Sequence, residues 1–357
     1  MSEQLPEIVV SILWAGVLAY AIFGGADFGS GFWDLTAGGD RAGAAPRARI
    51  DRSIGPVWEA NHVWLIFVLV FLWTGFPEPF AAIARTLYLP LIAAATGIVF
   101  RGGAFAFRKS STTLGEARFF GALFASSSVI TPLFLGAAVG GIASGRVPLE
   151  GTGHLWTSWI NPTSALGGVL AVGTCAFLAA VFLTRDSDRD GEAELAEWFR
   201  RRALASGVVV GAVALVGIAV LETDAPTLAD TLLEGRGLVL VSLSALSGGA
   251  TMWALARRSF TVARLPAVAA VSTIIIGWGV AQYPWVLVDE IDIDAAAASD
   301  PTLWGLLIAF GGAAVLVIAP LAWMLRLSDT GALSESADRP DSSSAVLERL
   351  RSESTRG

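Results

Sequence analysis

Apolar runs as long as a membrane-spanning helix dominate the pattern of hydrophobic and polar positions along this chain. Each run is bounded by charged or turn-forming residues and is close to the ~20 residues that a helix needs to cross a hydrocarbon layer. Nine runs lie at about 8–33, 57–75, 80–100, 119–143, 163–183, 204–221, 237–256, 265–284 and 303–325. The pattern predicts an all-α integral membrane protein with nine transmembrane helices.

The connections between these runs alternate in positive charge. Basic residues concentrate at 41–52, 101–118, 185–202 and 257–264 and after residue 326. The other connections contain few Lys or Arg residues, and the stretch from Asp289 to Asp300 contains none. Because Lys and Arg are enriched in cytoplasmic loops, we expect the N-terminus outside and the C-terminus in the cytoplasm. This orientation requires an odd number of spans.

Composition supports a membrane protein and excludes several other classes. Of the 357 residues 54% are hydrophobic and only 15% are charged, and the mean hydropathy is +0.63, which is too apolar for a soluble fold of this length. The net charge of −7 and the absence of a basic patch exclude nucleic acid as a partner. Cys175 is the only cysteine, which excludes internal disulfides, iron–sulfur clusters and cysteine-based zinc sites. No cleavable signal peptide is expected, because the first run lacks a basic start and a cleavage site.

Two further features concern the organisation of the chain. Residues 1–327 are predicted to form one transmembrane domain, and residues 328–357, rich in Ser, Asp, Glu and Arg, a disordered cytoplasmic tail. Small residues spaced four apart favour close helix contacts. Such pairs occur at Gly25 and Gly29, Gly136 and Gly140, and Gly207 and Gly211.

A few polar and ionisable residues lie within or at the ends of the first three runs. Asp27 belongs to the first run, Glu59, Asn61 and His62 begin the second, and Arg101 ends the third. An ionisable side chain in a membrane helix costs ~2.5–3.5 kcal/mol at the helix centre, so it usually faces a protein interior or a water path. With the N-terminus outside, these residues converge on the cytoplasmic half of the protein. They are therefore candidates for a proton route.

A structural interpretation of the same residues remains open. Arg101 or Arg52 could form ion pairs with Asp27 and Glu59 that hold helix ends together without moving protons. Arg85, within the predicted third helix, is interpreted as a snorkelling or paired residue rather than a catalytic one.

The supply of haem ligands in this chain is poor. There are only two His residues, and His154 lies in a predicted external connection. His62 with Met252 is the one conceivable axial pair. The 13 Trp residues fit interfacial belts and helix packing better than a cofactor cage. No metal site is predicted in this chain.

Several sequence motifs resemble subunit II of cytochrome bd-type quinol oxidases. They are GGADFGSG (24–31), SIGPVWEANHVWLI (53–66), YLP (88–90), RGGAFAFR (101–108), Asn161-Pro162 and GVAQYPWV (279–286). The second motif is the most specific, and the WEANHVW and AQYP forms resemble the branch often called cyanide-insensitive oxidases. The resemblance extends over nearly the whole chain except the tail.

The resemblance implies a heterodimer in the plasma membrane of a bacterium or archaeon, surrounded by membrane lipid. Its partner, subunit I, would carry haem b, haem d and the quinol site, where oxygen is reduced to water. Subunit II is then expected to be haem-poor, to stabilise subunit I and to line a cytoplasmic proton path. A quinone bound to this chain and a small accessory subunit remain open.

The resemblance also carries over to individual residues. Trp58 and Glu59 occupy the position of a Trp-Asp pair implicated in proton delivery, and Asp27 matches the second acid of a paired-acid motif. Departures from the family pattern are Gly24 in place of the first acid, Glu59 in place of the commoner Asp, His62 in place of Glu or Gln, and Ala106 in place of an acid found in some members. A secondary ion-coupled transporter, which also uses buried acids, and a purely structural membrane partner are the alternative functions.

Overall fold

The computed structural model of the protein describes residues 4–39, 41–54 and 58–329, and it is built almost entirely of helices. Its helices are α1 Leu5–Ala19, α2 Gly25–Leu35, α3 Ala44–Ile54, α4 Trp58–Gly75, α5 Pro77–Thr86, α6 Tyr88–Ser110, α7 Leu114–Ala143, α8 Pro162–Arg189, α9 Ala193–Asp224, α10 Pro226–Leu232, α11 Gly235–Ala256, α12 Phe260–Gln282, α13 Ile293–Ala296 and α14 Asp300–Asp329. A π-helical turn, Tyr20–Gly24, joins α1 to α2. The only strands in the described ranges, β1 Trp285–Leu287 and β2 Ile291–Asp292, form an antiparallel hairpin. The all-helical fold class is thereby confirmed.

Seven helical segments among the described residues are long and apolar enough to cross a membrane. An eighth is obtained if α4 and α5, which meet at a bend of 118°, count as one span. The predicted run at 303–325 falls on α14, whose apolar described part, Asp300–Leu316, is shorter. Nine spans therefore stay a prediction.

The predicted third span is wrong at its start. The run at 80–100 is divided between α5 and α6, and the spanning segment begins at Tyr88. Pro77 and Pro79 start α5 as a separate helix, because a proline fits the first turn of a helix but not its interior. The predicted sixth span, 204–221, is part of the longer helix α9. Helix α14 continues to Asp329, and the rest of the predicted tail lies outside the described residues.

The bundle has two chemically different ends. One end, called here the basic end, carries α3, the α6–α7 and α8–α9 connections and the α11–α12 turn. The other end, called the hairpin end, carries the β1–β2 hairpin, α10 and the α7–α8 connection. One hydrophobic core lies among α2, α6, α7, α8, α9, α11 and α12, and a second lies among α1, α4, α5, α13 and α14. The cytoplasmic location of the basic end stays a prediction of the positive-inside rule.

Candidate functional site

A polar stripe follows the first spanning segment. Tyr20, Asp27 and Asp34 are spaced seven residues apart, which is about two helical turns, so the two acids lie on one side of α2. Arg101 and Arg108 have the same spacing on α6. Both acids and both arginines are buried, and the two helices place them opposite each other. Two carboxylate–guanidinium pairs therefore connect α2 to α6.

Asp27 and Arg101 form the inner pair, and the guanidinium uses nearly all of its donors there. Arg101 Nη2 donates to Asp27 Oδ1 at 2.6 Å, and Nη1 donates to Oδ2 at 2.9 Å. Arg101 Nε donates to Ser128 Oγ on α7 at 2.9 Å. The side chains of Asp27 and Arg101 are only 2% and 1% exposed. A contact of two hydrogen bonds between these groups compensates for burying both charges and fixes their relative geometry.

Aromatic rings cover the inner pair on two sides. The guanidinium carbon of Arg101 lies 5.0 Å from the centre of the Phe28 ring and 4.8 Å from that of Phe124. His62, on α4, meets the other side of Phe28 edge to face, with the ring centres 6.2 Å apart. Cation–π contact adds to the stability of a desolvated arginine. The predicted convergence of Asp27, His62 and Arg101 is therefore present in the fold.

Glycines allow α2 to approach its neighbours closely enough to bury these charges. A Cβ atom at Gly29 would lie 1.8 Å from the carbonyl oxygen of Cys175 on α8, and one at Gly31 would lie 2.1 Å from Ser128 Oγ. The predicted pair Gly136 and Gly140 has the same role between α7 and α8. At Gly211, no atom of another described element lies within 4 Å of a Cβ position, so the described residues make no close helix contact there.

Asp34 and Arg108 form the outer pair, nearer the basic end, and share their charges with two further residues. Arg108 Nη1 donates to Asp34 Oδ2 at 2.6 Å, and Arg47 Nε donates to Asp34 Oδ1 at 2.8 Å. Arg108 Nη2 also lies 3.3 Å from Asp51 Oδ2. Two arginines and two aspartates thus join α2, α3 and α6 in one network.

Helix α3 has further ionic contacts on its other side. Arg49 binds Asp190 and lies 3.6 Å from Glu192, while Arg52 donates to Glu192 at 2.5 Å. These contacts hold α3 over the basic end, immediately before the chain enters α4. Of the two arginines considered for Asp27 and Glu59, Arg101 pairs with Asp27, while Arg52 extends from α3 toward the α8–α9 connection. A contact of either arginine with the Glu59 side chain lies outside the described residues.

Sequence reasoning identified part of this site and missed the rest. Asn61 is buried near the start of α4, but the side chains of Trp58 and Glu59 lie outside the described residues. Asp34 and Arg108 were not singled out, although their spacing of seven from Asp27 and Arg101 was visible in the sequence. A repeated spacing on two helices was the available signal.

The other candidates lie away from the inner pair. Arg85, on α5, donates from Nη2 to the carbonyl oxygen of Leu149 at 2.9 Å, as a paired residue should. His154 lies in the α7–α8 connection, where its Nδ1 accepts the backbone N–H of Thr157 at 3.2 Å. Met252 is beside Gly207, between α9 and α11. No group of three His, Cys, Asp or Glu side chains in the described ranges is arranged to hold a metal ion.

Comparison with known proteins gives consistent matches over the chain. The family model of cytochrome bd terminal oxidase subunit II matches residues 5–328. Cytochrome bd-I ubiquinol oxidase subunit 2 of Escherichia coli K12 is 32% identical over 190 residues, or 50% of this chain and 48% of that protein. Cytochrome bd ubiquinol oxidase subunit 2 of Bacillus subtilis is 27% identical over 180 residues, or 50% of this chain and 51% of that protein. The chain thus spans about half the length of these curated relatives.

A solved structure supports the same fold. The structure of bd oxidase from Geobacillus thermodenitrificans contains a chain that matches with a TM-score of 0.72 and 24% sequence identity. The match covers 91% of this chain and 98% of that chain.

Proposed function

This chain belongs to the cytochrome bd terminal oxidase subunit II family, and on that premise we propose that it is the haem-poor subunit of a quinol:oxygen oxidoreductase. In this proposal it stabilises a haem-bearing subunit I in the plasma membrane and lines a path for protons from the cytoplasm. The observation that carries the proposal is the family match over residues 5–328. The buried polar stripe between α2 and α6 supports the part concerning protons.

The proposed topology has nine spans, with the basic end in the cytoplasm. The proposal counts the seven candidate spans, the bent pair α4–α5 and α14, whose apolar described part is shorter, as the nine spans. The ionic network around α3 then faces the compartment that supplies protons. Reporter fusions in the 41–52 segment should report a cytoplasmic location, and an external location would exclude the proposed proton path.

The residues of this chain would contribute to oxygen reduction by handling protons. Glu59 would take up a proton near the basic end, and Asn61 and His62 follow it two and three residues further along α4. Asp27 and Arg101 then provide a polar surface across which water can be ordered. The two guanidinium nitrogens that bind the Asp27 carboxylate fix its orientation.

Among the described residues, the candidate axial ligands pack against other parts of this chain. Cys175 lies against Gly25 and Gly29, and the Met252 sulfur lies beside Gly207. The His62 ring lies edge to face against Phe28. In the proposed complex the haems supply electrons to oxygen from subunit I, and no step involves a haem held here.

The inner pair also favours a second candidate function, a purely structural subunit. Both carboxylate oxygens of Asp27 are engaged by Arg101, as expected for an ion pair that holds two helices together. In that case the charges at Asp27 and Glu59 would be needed for assembly and not for turnover.

Replacing Glu59 by Gln distinguishes the two candidates. Gln keeps the size and polarity of the side chain but cannot carry a proton, so oxygen consumption should fall by about 10²-fold while the haem spectrum of the purified oxidase stays unchanged. Glu194→Gln, at an exposed carboxylate on the same end, is the matched control and should have no effect. If Glu59→Gln consumes oxygen at the wild-type rate, the purely structural subunit remains as the supported candidate.

Purification of the tagged chain from native membranes tests the complex itself. A haem-bearing partner chain and a haem optical spectrum should appear in the purified material. Stoichiometric haem in the chain purified alone would contradict the proposed division of roles. Substrate flux into liposomes containing this chain alone would indicate the transporter alternative.

A further inference from the structure

Tyr20 is the one member of the polar stripe that the proposed function does not yet use. It begins the π-helical turn Tyr20–Gly24, seven residues before Asp27. Its ring lies over Gly24, since a Cβ atom built at Gly24 would be 3.1 Å from Tyr20 Cε2. The ring also meets Phe28 edge to face at 6.4 Å between centres. Phe28 in turn contacts Arg101 and His62, so one ring connects Tyr20 to the inner pair.

The Tyr20 hydroxyl is buried and has no hydrogen-bond partner among the described residues. The other two tyrosines are more exposed: Tyr283 donates to Glu7 Oε1 at 3.0 Å, and Tyr88 is 42% exposed. A buried hydroxyl without a partner costs ~1–3 kcal/mol, so such groups usually bind an ordered water. Phenylalanine would keep the ring contacts without this cost. The hydroxyl therefore indicates a bound water.

The local backbone gives a second, independent reason to examine this turn. A π-helical turn inside an α-helix is rare and is often found at a functional site. Here the turn ends at Gly24, and glycine is the residue that leaves room for the Tyr20 ring. The turn and the glycine together direct the ring along the helix toward Phe28.

We propose that Tyr20 binds an ordered water through its hydroxyl and extends the proton route from the level of Asp27 toward the membrane centre. This inference rests on the proposed function, because it lengthens the same route. Seven helical residues correspond to a backbone rise of about 10 Å, and the Tyr20 ring covers part of it because it lies over Gly24, so an ordered water would bridge the remaining gap. The hydroxyl accepts a proton from water on the Asp27 side and releases its own to water on the far side. It stays neutral, and one proton moves for each one that enters.

The test compares the whole purified oxidase carrying Tyr20→Phe with the wild type and with Tyr88→Phe as the matched control. Infrared spectra in ordinary and ¹⁸O-labelled water should show a buried-water band in the wild type and in Tyr88→Phe that is absent in Tyr20→Phe. Oxygen consumption should fall about tenfold in Tyr20→Phe alone, with a larger solvent deuterium isotope effect and an unchanged haem spectrum. A structural role of Tyr20 would not raise the isotope effect.

The outcomes separate this inference from the proposed function. If Glu59→Gln slows turnover and Tyr20→Phe does not, the inference about Tyr20 is overturned and the route remains. The inference is also overturned if the wild type lacks the buried-water band or if the band persists in Tyr20→Phe, whatever the rate of oxygen consumption. If Tyr20→Phe fails to assemble, a cryo-EM density for water within hydrogen-bond distance of Tyr20 Oη in the wild type decides instead, and its absence excludes the site. Unchanged turnover in Glu59→Gln would remove the route itself.

Discussion

The inner and outer ion pairs connect the same two helices but distribute charge differently. The Arg101 guanidinium binds both carboxylate oxygens of Asp27, and no other charged side chain contacts this pair in the described structure. Asp34 instead accepts from both Arg108 and Arg47, and Arg108 also reaches Asp51. The inner pair thus depends on a single partner, whereas the outer network is redundant. Removing one partner should therefore leave an unpaired buried charge only at the inner pair.

The largest effect is expected for Arg101→Met. Methionine keeps an unbranched apolar chain of similar length but leaves the Asp27 carboxylate buried and unpaired, which costs about 3–5 kcal/mol. Thermal unfolding of the purified oxidase should shift to markedly lower temperature, or the oxidase should fail to accumulate. Arg201→Met is the control, because the Arg201 side chain is 75% exposed.

A second substitution tests whether the unpaired charge is the cause. Asp27→Asn in the Arg101→Met background removes the charge and should recover much of the lost stability. If the double variant is no more stable than Arg101→Met, lost packing against Phe28 and Phe124 would explain the effect better than the charge.

A smaller effect is expected for Arg108→Met. Arg47 still donates to Asp34 after this change, so about 1–3 kcal/mol should be lost, the range for one charge-assisted hydrogen bond. The double variant Arg47→Met/Arg108→Met should lose more than the sum of the two single variants, because only then is Asp34 unpaired. If the stability lost by the double variant in thermal unfolding equals the sum of the losses of the two single variants, the outer network is not redundant.

The sequence allowed the inner pair to be predicted but not the outer network. Asp27 stands out because it interrupts an apolar run, and a buried acid requires a cation such as Arg101. Asp34 directly follows a predicted run and Arg108 lies in a predicted basic connection, where charged residues are ordinary and the positive-inside rule already accounts for the arginine. Their burial depends on the position of α3, whose sequence does not indicate what it contacts. The pairing of Arg52 with Glu192 was not anticipated for the same reason.

The break between α5 and α6 shows a second limit of sequence reasoning. Apolar content alone favours one continuous run at 80–100, and the two prolines before it indicate only a helix start. Arg85, near the end of α5, donates to the carbonyl oxygen of Leu149, a tertiary contact that the apolar run itself does not indicate. The π-helical turn was equally invisible, because it requires the approach of the Tyr20 ring to Gly24 and carries no residue pattern of its own.

The smallest effect is expected at the surface of the basic end, where Arg52 pairs with Glu192. Their side chains are 46% and 25% exposed, and exposed ion pairs contribute about 0–1 kcal/mol that salt weakens. Arg52→Ala should therefore leave thermal unfolding nearly unchanged but increase amide hydrogen exchange in the α3 segment Ala44–Ile54 at low salt. High salt should raise exchange in the wild type toward the level of the variant, while Arg185→Ala, whose partner is its own neighbour Asp186, should leave α3 unaffected. Equal exchange in wild type and Arg52→Ala at low salt would mean that Arg49 and the outer network alone hold α3 in place.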